Sequence, residues 1–191
     1  HNLKTVKDSV FNNVPKGVKI DWHVIFDVNT LKDIDAEMLG NLKDKNTTYH
    51  FERGDKQGML YPQSSKLIET FKNCWVYFLD DDNVMHPKFY EVISNKVQNN
   101  PDKKVHVVSQ TVDGKDFSGL KFRLAAPQFV KKSGIDLAQY IVHVDVYNKY
   151  GYKFQPDYCA DGILIEQVFK EHSDWFTFEV EELCYYNALE K

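Results

Sequence analysis

Three consecutive carboxylates, Asp80-Asp81-Asp82, follow directly on the run Trp75-Val76-Tyr77-Phe78-Leu79 and lead into Asn83. Adjacent carboxylates repel one another at neutral pH unless a cation lies between them. In extended backbone alternate side chains share a face, so Asp80 and Asp82 project together and Asp81 points away. Hard oxygen donors suit Mg2+ or Mn2+, and Mg2+ commonly takes only one or two protein carboxylates, leaving its other positions to water and phosphate. The chemistry these residues predict is a divalent cation holding a phosphate ester. A solvated acidic turn that caps the next helix would use the same residue types. What sets this run apart is the apolar strand that ends on it.

The elements around it alternate. Leu3, Val6, Val10 and Phe11 share a helical face over residues 3–12, and Asn12-Asn13-Val14-Pro15-Lys16-Gly17 ends that helix. Period-two alternation then predicts a strand from Val18 to Phe26 that stops at Asp27, a short helix from Leu31 to Leu39, and a strand from Thr47 to Arg53. Gly54 to Gly58 reads as a loop. Ser65 is placed to cap a helix carrying Leu67, Ile68 and Phe71, which feeds the acidic strand. Downstream, Pro87 suits the first position of a helix bearing Phe89, Val92, Ile93 and Val97. Strands are expected at Val105–Ser109, Lys121–Ala125, Leu137–Val144 and Trp175–Val180, with a turn-rich connection over Val112–Gly119 and a helical turn at Val146–Tyr150 closed by Gly151. Asp161 stands before an amphipathic helix with Leu164, Ile165, Val168 and Phe169 on one side, as an N-cap would. The order implies a single α/β domain over residues 1–191, with a mostly parallel central sheet flanked by helices and ligands at the carboxyl ends of the strands.

Composition narrows the function classes. A formal net charge of −4 over 191 residues, without a basic stripe, argues against nucleic acid or an anionic membrane as partner. No stretch has the length of a membrane span and no secretory signal is visible. Cys74, Cys159 and Cys184 form neither an even set nor a C-x-x-C pair, which fits buried thiols of a cytoplasmic, reducing compartment better than a disulfide framework or a zinc site.

The run Val76-Tyr77-Phe78-Leu79-Asp80-Asp81-Asp82-Asn83, followed by His86-Pro87 and a helix, resembles the Asp-X-Asp signature of GT-A-fold glycosyltransferases, family 2-like in kind, and its core is similar to that of glucuronyltransferases. The resemblance implies a Rossmann-like nucleotide-diphospho-sugar transferase fold and a Mn2+ or Mg2+ cofactor. By it, Asp82 is the direct metal ligand, Asp80 a supporting one, and Asp81 the ribose contact. Tyr158-Cys159-Ala160-Asp161-Gly162 is similar to the step before a late helix where inverting members carry their general base, which implies that role for Asp161. Asp27 corresponds to the acidic residue that touches the nucleotide at the end of the family's second strand. Where many members have an Arg-Asn pair this chain has Ser64 and Ser65, so Arg53 or Lys66 would supply the donor contact. His143 and Asp145, with Asp136, lie in the segment that would face the acceptor. The chain opens on the helix that would follow the family's first strand, so either that strand is absent here or the core departs from the family. The expected reaction is transfer of a sugar from a UDP-sugar, glucose-like, to a glycan or other hydroxyl acceptor, with inversion.

Two other readings use the same residues. Leu79-Asp80-Asp81-Asp82-Asn83-Val84 also fits the strand and Asp-x-Asp-x-Val pattern of haloacid-dehalogenase-like phosphatases, in which the first aspartate attacks phosphate. That family carries the strand near the start of its domain and an acidic pair late, and this chain does neither. A non-catalytic nucleotide- or glycan-binding module would keep the fold without turnover.

Overall fold

The structure, a computed structural model, describes residues 2–29, 45–53, 61–112, 122–150 and 159–189. The expected helix at Leu31–Leu39, the loop at Gly54–Gly58, the Val112–Gly119 connection beyond Val112, and Gly151 lie outside the described residues.

The chain is mixed α/β. Helices α1 (Leu3–Phe11), α2 (Tyr61–Ile68), α3 (Phe89–Asn99), α4 (Val144–Tyr150) and α5 (Ala160–Glu171) accompany strands β1 (Trp22–Asp27), β2 (Thr47–Glu52), β3 (Trp75–Tyr77), β4 (Val84–Met85), β5 (Val105–Val112), β6 (Phe122–Arg123), β7 (Tyr140–His143) and β8 (Phe176–Tyr186). β1 and β2 form a parallel two-stranded sheet. The larger sheet runs β3-β7-β5-β8-β4, with β6 beside β5.

Alternation along the strands builds two cores. Val105, Val107, Tyr140 and Val142 face one way, toward Ile68 of α2, Val146 and Tyr147 of α4, and Ile165 and Val168 of α5. Their neighbours Val108 and Ile141 face the other way, toward Val10 of α1 and Phe89, Tyr90 and Ile93 of α3. Burial on both faces explains why these strands read as nearly unbroken apolar runs.

The expectation of a mostly parallel sheet is corrected here. Of the five pairings in the larger sheet only β5 with β8 is parallel; β3–β7, β5–β7, β5–β6 and β4–β8 are antiparallel. The cause is local. β7 is entered from a turn at the carboxyl edge of β3, so it comes back antiparallel between β3 and β5 and leaves those two strands pointing the same way. β8, parallel to β5, shares that direction.

Several boundaries also move. Residues 18–21 are not strand, and β1 begins at Trp22. Pro87 lies in the turn before α3, where the Phe89 N–H donates to the His86 carbonyl, and Lys88 rather than Pro87 precedes the first helical residue. Leu137–Gln139 is a 3-10 turn, so only Tyr140–His143 of that segment is strand. β8 runs on to Tyr186 through a bulge opposite Ser109, which breaks the period-two pattern after Val180. No helix among the described residues is long and apolar enough to cross a membrane.

Candidate functional site

β3 stops hydrogen-bonding after Tyr77, and the chain turns over Asp80–Asn83, where the Asn83 N–H donates to the Asp80 carbonyl at 3.2 Å. The turn is anchored from the far end of the chain. Asn83, fully buried, accepts the Asn187 N–H at its Oδ1 (2.8 Å), and the Asp82 carbonyl accepts the Leu189 N–H (3.0 Å). Asp80 and Asp81 are exposed and Asp82 is half-buried.

Three other elements arrive at the same edge. The first is the turn before β7. Asp136 caps it with a reciprocal pair: its Oδ1 accepts from Ala138 N–H at 2.9 Å, while its own N–H donates to Gln139 Oε1 at 3.1 Å. The second is β6, whose Arg123 Nη1 lies 3.4 Å from Asp136 Oδ2. The third is α5, with Asp161 in its first turn, where the helix dipole favours a carboxylate. Asp161 is therefore not the N-cap, a position held by Cys159. Gly162 lets the start of α5 approach closely, since a Cβ there would meet Lys131 O, Lys132 Cα and Ser133 N, each at 3.3 Å.

The carboxylates feel one another. Burial, and then the charges of Asp136, Asp82, Asp81 and Asp161, push Asp80 up to about 7. Asp80 keeps an exposed edge although protein crowds its carboxyl; water there tempers the effect of burial, and the upward direction rests also on the four neighbouring carboxylates. Asp161 is raised to about 6 by burial and by Asp136, and is held back by the N–H groups of Gly162 and of its own residue and by the Arg123 charge. Beneath them, Gln110 is fully buried; its Nε2 donates to Asp136 Oδ1 at 3.0 Å, and its Oε1 has no hydrogen-bond partner among the described residues.

This arrangement fits a hard divalent cation. No three His, Cys, Asp or Glu side chains among the described residues form a cage for one. A phosphate-bound Mg2+ or Mn2+ needs only one or two carboxylates, and the neighbouring carboxylates that add to burial in raising Asp80 are negative charge that a cation would offset.

Other residues singled out by the sequence lie apart. His143 and Asp145 are at the opposite edge. β3 and β7 pair antiparallel with Trp75 against His143, and Trp75 lies five residues of extended chain before Asp80, on the order of 16 Å. There His143 Nδ1 is 3.1 Å from Asp145 Oδ2, but burial and the Lys104 charge lower the imidazole, so at neutral pH the contact is not an ion pair. Asp27 ends β1 and its Oδ1 accepts the Asn29 N–H at 2.9 Å, an Asx turn. Arg53, exposed, follows β2 and accepts Gln63 Nε2 at its carbonyl. Ser65 and Lys66 lie inside α2 rather than at its start, so Ser65 is no N-cap; Lys66 is in the last turn, the end that leads into the start of β3.

The residues the sequence reading under-used are Arg123, Gln110 and the hub Asp136. Only Asp136 carried a local signal, the Asp-x-x-Gln capping box Asp136-Leu137-Ala138-Gln139. None of Cys74, Cys159 and Cys184 forms a disulfide. Comparison with protein-family models and with curated proteins finds no match to this chain.

Proposed function

We propose that this chain is a metal-dependent glycosyltransferase of GT-A type, moving a sugar from a UDP-sugar to an acceptor hydroxyl in the cytoplasm. The observation that carries the reading is the meeting of the Asp80–Asp82 turn with Asp161 at the carboxyl edge of β3, β5 and β8, far apart in sequence and close enough to act on each other's charge. Helices on both faces of the sheet add support, because open α/β sheets bind their ligands at that edge.

Asp82 and Asp80 would hold Mn2+ or Mg2+, which when bound neutralises charge on the leaving diphosphate. Asp161 takes the proton of the acceptor hydroxyl as its oxygen attacks the anomeric carbon. The new C–O bond forms as the bond from that carbon to the phosphate oxygen breaks, the electron pair leaves with the diphosphate, and the configuration inverts. A base near 6 is ionised at neutral pH yet more basic than an ordinary aspartate, which suits it to the task.

The test is thermal unfolding with UDP, with Mn2+ and with both, on the wild type and on Asp82→Asn. A ligand at a hundredfold excess over its dissociation constant stabilises by about 2.7 kcal/mol. The expected result is a shift that needs both components and disappears in Asp82→Asn; no shift in the wild type sinks the reading. Hydrolysis of a generic phosphate ester by the wild type, abolished in Asp80→Asn, would instead favour the phosphatase alternative.

A further inference from the structure

A second group of ligating side chains stands on the small sheet. His23 of β1 pairs in register with Thr48 of β2, and Ile25 with His50. Paired residues of a ladder share a face, as do residues two apart on one strand, so both imidazoles project from the same side. There His23 Nδ1 and His50 Nε2 lie 3.1 Å apart, although the residues are 27 positions apart in the chain. Phe71, from the turn after α2, packs on the His23 ring with 5.0 Å between centroids and steadies it.

Two neutral imidazoles can share one N–H across that gap, and the same two lone pairs can hold a metal ion. Zn2+ takes imidazole nitrogen at about 2.0–2.1 Å in a tetrahedral shell, which sets neighbouring nitrogens roughly 3.4 Å apart, so a small opening of the pair seats the ion. Imidazole suits Zn2+, whereas Mg2+ and Mn2+ keep to oxygen donors such as those of the acidic turn. Burial, and then the His50 charge, lower His23 against the pull of Asp21, so its ring is neutral and able to ligate at neutral pH. Both rings are half-buried, sheltered yet within reach of an ion from solvent. Asp21, exposed just before β1, acts on His23 and on the Cys74 thiol alike and supplies negative charge to this corner. Burial and then Asp21 push the thiol up, so Cys74 stays protonated and is not counted as a ligand. Because no three such side chains among the described residues form a cage, water takes the remaining positions.

The ion's role would be structural. Among the described residues β1 and β2 pair only with each other, and two strands alone are weakly held. We propose that His23 and His50 form a Zn2+ site that clips β1 to β2, separate from the hard-cation site at the acidic turn and independent of the glycosyltransferase reading.

The experiment is calorimetric titration of the full chain with Zn2+ in excess Mg2+, which occupies oxygen sites, on wild type, His23→Asn, His50→Asn and His172→Gln. Wild type and His172→Gln should each bind one Zn2+ per chain and melt at a higher temperature with it. Each of the other two variants should lose more affinity than the roughly 10- to 100-fold typical of removing an outer-shell partner. Imidazole nitrogen resonances of wild type, which need no substitution, should shift with Zn2+ at His23 and His50. No binding by wild type, binding to His50→Asn as tight as to wild type, or shifts confined to other histidines each overturns the assignment; the last two would mark an adventitious ion only.

Discussion

The Tyr77 hydroxyl donates to the Ala138 carbonyl across 3.0 Å and so fastens the strand that leads into Asp80 to the turn that Asp136 caps. The ring itself is held separately, 4.6 Å from that of Phe89. Tyr77→Phe should therefore keep its packing and lose about 1 kcal/mol of stability, the net worth of one hydrogen bond. Urea unfolding measures this. Metal-dependent binding of UDP should weaken in the same variant, because the acidic turn loses its tie to Asp136; unchanged binding would mean that the tie serves stability alone.

That tie also explains what could and could not be read from the sequence. The strand before Asp80 was legible because the run from Trp75 to Leu79 packs alternate side chains against the two cores, even though β3 lies at the edge of the sheet. Asp161 was legible because an amphipathic helix follows it. Strand direction was not legible: side-chain alternation states which face a residue takes, never whether its neighbour runs with or against it. One reversal, that of β7, therefore splits the segment expected to face the acceptor, sending Asp136 to the acidic edge and His143 and Asp145 to the other. Arg123 was hidden for a related reason. Its strand is two residues long, and nothing local indicates that β5 will carry it to Asp136.

Asp161→Asn should separate chemistry from binding. Loss of a positioned general base typically costs 10²- to 10⁴-fold in rate, while UDP–Mn2+ binding should survive. The pH dependence follows from the raised carboxyl. Activity should climb as pH rises through about 6, where Asp161 ionises. Stability runs the other way: the folded carboxyl keeps its proton between 3.8 and about 6, where the unfolded one has released it, so this contribution is present below 3.8 and lost as pH rises through about 6. Asp161→Asn escapes that loss and should gain on wild type by on the order of 2 kcal/mol between about pH 4 and about pH 7. Urea midpoints at the two pH values check the sign.

His106 gives the opposite slope. Packed beneath α3 with its ring centroid 4.7 Å from that of Trp75, it is lowered from 6.5 to about 4 by burial and then by the Lys96 charge. The unfolded histidine binds a proton across that window and the folded one does not, so stability is complete above about 6.5 and lost as pH falls toward about 4. His106→Gln, unable to titrate, should flatten the acid limb of a stability–pH curve by on the order of 2 kcal/mol, even if it is less stable at neutral pH. An acid limb of unchanged slope would reject this source for it.

Gly162→Ala tests the close approach that brings Asp161 to the edge. In an ordinary helix the change would stabilise by about 1 kcal/mol. Here the added methyl meets three backbone positions of Lys131, Lys132 and Ser133 at 3.3 Å, and backbone cannot swing aside as a side-chain tip can. The crowded loop is also tied to α5 through the Lys132 N–H, which donates to Glu166 at 2.8 Å, so yielding at one contact strains the other. Overpacking commonly costs 1–3 kcal/mol, and the balance should be a net loss of about 1 kcal/mol. Under the proposed reading, transfer should fall further than nucleotide binding, because the methyl pushes on the element that carries the base and leaves the Asp80–Asp82 turn alone. A variant more stable than wild type, with full activity, would show that the loop gives way freely and that the approach is not what positions Asp161.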